Sequence, residues 1–214
     1  MSGCCELKVI LICASTVCGR IGPIVKGSAE DRRRLERMRA ETDASLMGAG
    51  TLRAGNPEMR GPGGEIRADR IRAIITGSGR IPVAGKKIFS QGPQPVIFTK
   101  MTEVPRLEQE LGGRGRVIGL PAGPAGLSIG DALAELGRLG AESVLIEGGG
   151  KLNHAAFCEG VVDELLLTIT PYLSGDRAAA SLLDGDGPVG LTMEIITCRV
   201  SSRSGEIFLH YRVR

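Results

Sequence analysis

The stretch Ser143–Pro171, SVLIEGGGKLNHAAFCEGVVDELLLTITP, decides the fold of this chain. Val144-Leu145-Ile146 has the short apolar character of a buried strand, and Glu147 closes it. Gly148, Gly149 and Gly150 follow, then a helix-like segment over 151–158 and a long apolar strand over 162–170. Consecutive glycines between strand and helix let backbone N–H groups approach an anion with no Cβ in the way. The next helix adds the positive end of its dipole. Such a turn is either a phosphate seat or only a tight corner, so the rest of the chain has to choose between them. Neither G-x-x-x-x-G-K-S/T nor a spaced G-x-G-x-x-G is present, which argues against a Walker-type ATP site and a plain Rossmann fingerprint.

Working outward, Leu7–Ala14 is apolar throughout and reads as a central strand. Ser28-Ala-Glu-Asp31 opens a helix in the manner of a capping box, and the helix continues through Leu35, Met38 and Arg39. Its acids Glu30, Asp31 and Glu36 fall in a pattern that reads as solvent-facing. Asp43–Met47 is a second strand, ending in a Gly48-Ala49-Gly50-Thr51 turn, and 53–70 reads as a loop. Strands are expected at 71–76, 96–99 and 116–119, with helices over 103–111 and after Ser128. Two last strands, 193–200 and 207–213, meet across Ser202-Arg-Ser-Gly205. One three-layer α/β domain over 1–214, with antiparallel strands at its C-terminal end, accommodates this order.

Bulk properties narrow the function. The chain is 42% hydrophobic and 24% charged with a formal net charge of +3, ordinary for a globular protein. Arg32-Arg33-Arg34 lie among acids, and aromatics make up only 3%, so a nucleic-acid partner is not expected. The run Val9–Ala14 is too short to span a membrane, and no membrane partner is expected. Cys4, Cys5, Cys13, Cys18, Cys158 and Cys198 form no C-x-x-C pair, and with His154 and His210 as the only histidines no metal site is expected. Scattered thiols suit a reducing cytoplasm. Cys158 reads as core, and His154 as a packing or capping histidine.

Four blocks, in order, resemble the reductase domain of riboflavin-biosynthesis deaminase-reductases, which has a dihydrofolate-reductase-like fold. Ala14-Ser-Thr-Val-Cys18-Gly-Arg-Ile is similar to A-x-S/T-L-D-G-K/R-I. Arg39 through Asp43, Gly48 and Thr51, followed by Asn56-Pro57, is similar to R-x-x-x-D-A-I/V-L/M-V/T-G-x-x-T and then D-D/N-P. The Glu147 turn with Val162-Asp163-Glu164 is the third block, and Ile169-Thr-Pro171 through Gly175 the fourth. No H-x-E with P-C-x-x-C occurs, so the zinc-deaminase half of the bifunctional enzymes has no counterpart in this sequence.

The resemblance implies an NADPH-dependent reductase of riboflavin synthesis. Hydride would pass to C1′ of a ribosylaminopyrimidine 5′-phosphate to give the ribitylamino product. It places Ala14 beside the nicotinamide, with Thr51 and Gly55 as further cofactor contacts. Gly148, Gly149, Gly150, Lys151 and Leu152 form the pyrophosphate seat, and Ser78 and Arg80 meet the 2′-phosphate. Glu147 is implied as the catalytic carboxylate touching the substrate, with Arg39, Met59 and Arg60 as further substrate-binding residues. Arg39 fits a phosphate contact, since a planar guanidinium matches phosphate geometry; it also fits an ion-pair partner of a neighbouring acid. A homodimer is implied, with the apolar strand at 162–169 a candidate for its interface, and Asp163-Glu164 is expected to be structural. Two family aspartates are replaced, by Cys18 and by Gly55. A neutral thiol is a poor acceptor, so these departures leave room for a pteridine or another imine or carbonyl substrate on the same fold, or for a non-catalytic nucleotide-binding oligomer.

Overall fold

The computed structural model describes residues 7–123 and 126–214. Its centre is a nine-stranded mixed sheet. The strands are β1 (Lys8–Thr16), β2 (Ala44–Gly48), β3 (Ile71–Thr76), β4 (Val96–Lys100), β5 (Arg116–Leu120), β8 (Ser143–Ile146), β9 (Glu164–Thr170), β10 (Met193–Val200) and β11 (Ile207–Val213). They lie in the order β10-β11-β9-β1-β8-β2-β3-β4-β5. The seven from β9 to β5 pair parallel, whereas β11 runs antiparallel to both β9 and β10. Two-residue strands β6 (Ala122–Gly123) and β7 (Gly126–Leu127) form a separate antiparallel pair.

Continuous apolar strands make sense in a parallel sheet because helices cover both faces. Val9 and Leu11 point to one face, where they pack with Leu133 and Leu136 of α4 (Ile129–Arg138) and Leu152 and Phe157 of α5 (Gly150–Cys158). Ile10 and Ile12 point to the other, against Leu35 and Met38 of α1 (Ala29–Glu41). On that face Met47, Ile74 and Ile97 pack with Leu52 of α2 (Ala49–Ala54) and Leu107 and Leu111 of α3 (Val104–Leu111). Among the described residues no helix is long and apolar enough to cross a membrane.

Start signals account for several boundaries. The Ser28 hydroxyl accepts from the backbone N–H groups of Glu30 and Asp31 and caps α1, and Ser128 does the same for Asp131 at α4. The Gly48–Thr51 segment, expected as a turn, is the first turn of α2 instead. Gly50 lowers intrinsic helix propensity enough to hide a six-residue helix that packing sustains. The apolar strand expected to offer a subunit interface is interior: β9 pairs with β1 on one side and β11 on the other, and most of its side chains are buried. The sheet ends in β10 on one side and β5 on the other, and β10 is exposed along its whole length. Asp163 and Glu164 fasten strand starts, Asp163 accepting from Val9 N–H (2.7 Å) and Glu164 from the Lys8 ammonium (2.8 Å). Cys158, expected in the core, is exposed at the last turn of α5.

Candidate active site

Parallel strands β1, β2, β3 and β8 end on the same side of the sheet, and their carboxyl ends border a cavity of about 1060 Å³. Ligands in open α/β sheets bind at such strand ends, and this volume lies at the upper end of the ~300–1,000 Å³ usual for small-molecule sites. The opening stretch supplies one wall. After Ile146 the chain passes through Glu147, then Gly148 at φ 88° and Gly149 at φ 108°, and Gly149 is the N-cap of α5. L-residues with a side chain rarely adopt such angles, so the turn requires glycine. The Gly48 turn forms the facing wall. Gly48 N–H (3.3 Å) and the Thr51 hydroxyl (3.3 Å) both donate to the Gly148 carbonyl. A Cβ at Gly149 would lie 3.3 Å from the Thr51 Oγ1 and crowd the seam between the walls. The N-termini of α2 and α5 thus meet at one cavity, with Ala14 on its floor.

Glu147 is held from behind. Its carboxylate accepts from Arg39 Nε (2.9 Å) and Nη2 (2.5 Å) and from the Ser45 hydroxyl (2.5 Å). The two charged side chains retain 10% and 6% exposure, so the pair is shielded from water. Burial alone would raise the Glu147 pKa. The Arg39 charge and hydrogen bonds, with Ser45 and Arg70, outweigh it and keep the carboxyl below its ordinary value. Burial likewise works against the Arg39 charge, and the carboxylate beside it prevails and raises the pKa. Arg70, itself buried, donates to Ser45 Oγ (2.7 Å) and Thr42 Oγ1 (3.0 Å) and backs the whole group. A carboxylate offers about four acceptor sites; these three bonds leave one free, on a residue that lines the cavity.

The cavity lining contains Ala14, Thr51, Gly55, Ser78, Glu147, the three glycines 148–150, Lys151 and Leu152. It does not contain Arg39, Met59, Arg60 or Arg80. Arg39 spends its remaining Nη1 on the Arg60 carbonyl (2.9 Å). Arg60 is drawn to Glu58, Gly64 and Gln91. Met59 is a core residue at φ 57°, and the Arg80 carbonyl accepts from Arg53.

Several lining residues besides these were illegible in the sequence. Arg53, exposed in the last turn of α2, adds a cation to the lining alongside Lys151 at the start of α5. Residues 21–25 form a rim because the loop after β1 pairs with a distant segment: Ile21 N–H donates to Ala180 O (2.8 Å) and Leu182 N–H to Gly19 O (2.9 Å). That segment is anchored to α5 by buried Asn153, whose amide donates to Leu182 O (2.9 Å). Asp184 also reaches the lining, with its carboxylate taken up by Ser181 N–H (3.0 Å) and Oγ. His154 meets the Gly187 carbonyl (3.1 Å), a packing role. Asp31 of α1, read as solvent-facing, lines the cavity instead.

A mixed sheet of this order, with glycine-capped helices over its carboxyl ends, defines a dihydrofolate-reductase-like α/β protein. Dihydrofolate reductase from Enterococcus faecalis superposes with a TM-score of 0.55 at 13% identity, covering 98% of this chain and 98% of the other. The chain belongs to the RibD C-terminal domain family, whose model matches residues 8–204. It is 30% identical over 189 residues to a 2,5-diamino-6-ribosylamino-4(3H)-pyrimidinone 5′-phosphate reductase of Methanothermobacter thermautotrophicus, covering 84% of each chain. A pyrimidine reductase-like protein of Corynebacterium diphtheriae shares the fold with a TM-score of 0.80 at 20% identity, over 98% of this chain and 92% of the other.

Proposed function

We propose that this chain, as one domain over 1–214, is an NADPH-dependent reductase that converts a ribosylaminopyrimidine 5′-phosphate to its ribitylamino form in riboflavin biosynthesis. The observation that carries the reading is the pairing of two glycine-capped helix N-termini across one cavity whose floor is the end of β1. Backbone N–H groups and dipoles converge there as an anion such as a pyrophosphate requires, and Arg53 and Lys151 add charge. Membership of the reductase family and the name of the Methanothermobacter relative favour the same chemistry.

NADPH supplies the hydride when bound; the protein's task is alignment and exclusion of water. Gly148–Leu152 and Thr51 would hold the pyrophosphate, Ala14 and Gly55 the nicotinamide side, and Ser78 the adenosine end. Glu147, kept ionised by Arg39, offers its free acceptor site to a donor on the substrate. Arg39 acts through Glu147 in this arrangement, as a positioning residue. A homodimer belongs to the same reading, and the exposed edge of β10, with Ile195 at 53% and Val200 at 63% exposure, supports strand pairing with a second copy. A cytoplasmic location is supported by the free thiols at Cys13, Cys18, Cys158 and Cys198.

Titration with NADPH and with NADH, followed by nicotinamide fluorescence, tests the cofactor. The expected result is saturation with NADPH, then its oxidation on adding the ribosylaminopyrimidine phosphate and none on adding dihydrofolate. Absence of saturable binding for both nucleotides overturns the reading.

A further inference from the structure

Besides Glu147, two carboxylates line the cavity, Asp31 in the first turn of α1 and Asp184 in the segment between β9 and β10. Asp184 stands beside the anion seat itself. A Cβ at Gly150, the first residue of α5, would lie 2.7 Å from Asp184 Oδ2 and would also collide with the Ser181 carbonyl. This close approach is fixed from several sides. Asp184 N–H donates to Gly150 O (3.0 Å), and the buried Asn153 amide donates to Leu182 O (2.9 Å). Leu182 N–H in turn reaches Gly19 O (2.9 Å) on the loop after β1.

The two oxygens of Asp184 are used differently. Ser181 donates to Oδ1 from both its backbone N–H (3.0 Å) and its hydroxyl. Oδ2, the oxygen against Gly150, accepts no hydrogen bond among the described residues. An ionised carboxylate can only accept, and the pyrophosphate of a dinucleotide has no hydrogen to give it. Like charges placed side by side cost binding energy. A ligand that suits both groups therefore carries hydroxyls directly beside its phosphates. In a dinucleotide those hydroxyls belong to the riboses flanking the pyrophosphate. Lys151, also on the lining, and the N-terminal end of α5 offset the added negative charge.

We infer that Asp184 is a specificity-determining residue of the cofactor site. Its Oδ2 accepts a hydrogen bond from a ribose hydroxyl next to the pyrophosphate, and its charge disfavours polyphosphates that carry no hydroxyl there. The inference rests on the NADPH reading above. Glu147, at the other end of the Gly148–Gly150 turn, is left to the substrate. The Ser181 bonds hold the Asp184 carboxylate in place before the ligand arrives, so little ordering is needed on binding. Specificity of this kind joins an attractive contact for one ligand to a repulsive one against its competitors.

The test compares wild type with Asp184→Ala and Asp184→Asn. NADPH binding is read by nicotinamide fluorescence, and inorganic pyrophosphate by its displacement of NADPH. Asp184→Asn keeps an acceptor for Ser181 and puts an amide NH2 in place of Oδ2, which separates a lost acceptor from a loosened segment. Both variants should bind NADPH about tenfold or more weakly, the usual worth of a hydrogen bond to a charged group. Pyrophosphate should bind both variants as tightly as wild type, or more tightly. Parallel weakening of the two ligands would make Asp184 a structural clip, and parallel strengthening would make it a source of repulsion alone; either result overturns the inference. An unchanged ratio of the two affinities with a raised KM for the pyrimidine phosphate assigns Oδ2 to the substrate sugar, and overturns it as well. So does failure of pyrophosphate to displace NADPH from wild type. Failure of wild type to bind NADPH at all overturns the cofactor reading, and the role of Asp184 falls with it.

Discussion

Arg39→Met isolates the interaction on which the geometry of Glu147 depends. The substitution keeps an unbranched side chain of similar length and removes the charge, leaving a carboxylate with 6% side-chain exposure facing an apolar group. Breaking a buried ion pair by removing one partner costs about 3–5 kcal/mol, because the other charge stays buried and uncompensated. Ser45 and Arg70 remain against Glu147, which puts the expected loss at the lower end, about 3 kcal/mol. For a chain of this size each kcal/mol lowers the melting temperature by about 2–4 °C, so the fall should be about 6–12 °C. The double variant Arg39→Met/Glu147→Leu should recover much of it, since apolar replacement of both partners is often neutral.

The sign of the pH dependence follows from Glu147. Its folded-state pKa lies below the ordinary 4.5, so its contribution is complete above 4.5 and is lost as pH falls through the folded value. The gap between wild type and Arg39→Met is therefore widest near neutrality and closes in acid. Differential scanning calorimetry from pH 7 down to pH 3 measures it. A single variant that melts within 2 °C of wild type at pH 7, or a double variant as unstable as the sum of the singles, would refute the reasoning.

Three further outcomes are expected. Gly149→Ala places a side chain at φ 108° and 3.3 Å from Thr51 Oγ1, and should weaken NADPH binding about tenfold or more, the equivalent of ~1.4 kcal/mol, in a fluorescence titration. Ser28→Ala removes the acceptor for Glu30 and Asp31 N–H and the donor to Glu206; a loss of about 1–2 kcal/mol should appear in urea denaturation as a lower midpoint at unchanged m-value. Cys18 is exposed, and the Thr16 hydroxyl followed by the Gly175 and Ser174 backbone brings its thiol down to about 7, so alkylation by iodoacetamide at Cys18 should reach half its maximal rate near pH 7 by peptide mass mapping. Cys13, buried with its pKa near 12, should resist the reagent throughout that range.

The departures at Cys18 and Gly55 take on different weights in three dimensions. Gly55 is on the cavity lining, so the missing aspartate there alters what the site presents to a ligand. Cys18 is absent from the lining and instead contacts Thr16 at 3.2 Å, in the tight turn after β1. The same turn brings the Gly19–Val25 loop against residues 179–184, which closes the rim and fixes the space around Asp31.

The sequence by itself determined what depends on neighbours along the chain. Apolar runs placed the strands, Ser28 and Ser128 placed helix starts, and the glycines after Glu147 marked a turn that only glycine can make. Ordered motifs were enough to identify the family, because their spacing reflects the strand-turn-helix units that carry them. Tertiary structure alone decided which side chains meet. Arg39 and Glu147 are 108 positions apart, and burial converts the pair from two possible surface charges into a fixed anion with its counterion behind it. Asp31 follows the opposite logic. Helical periodicity read it as solvent-facing, but the end of β1, the Gly19–Val25 loop and β9 enclose that side of α1, and a cavity is a property of several segments at once.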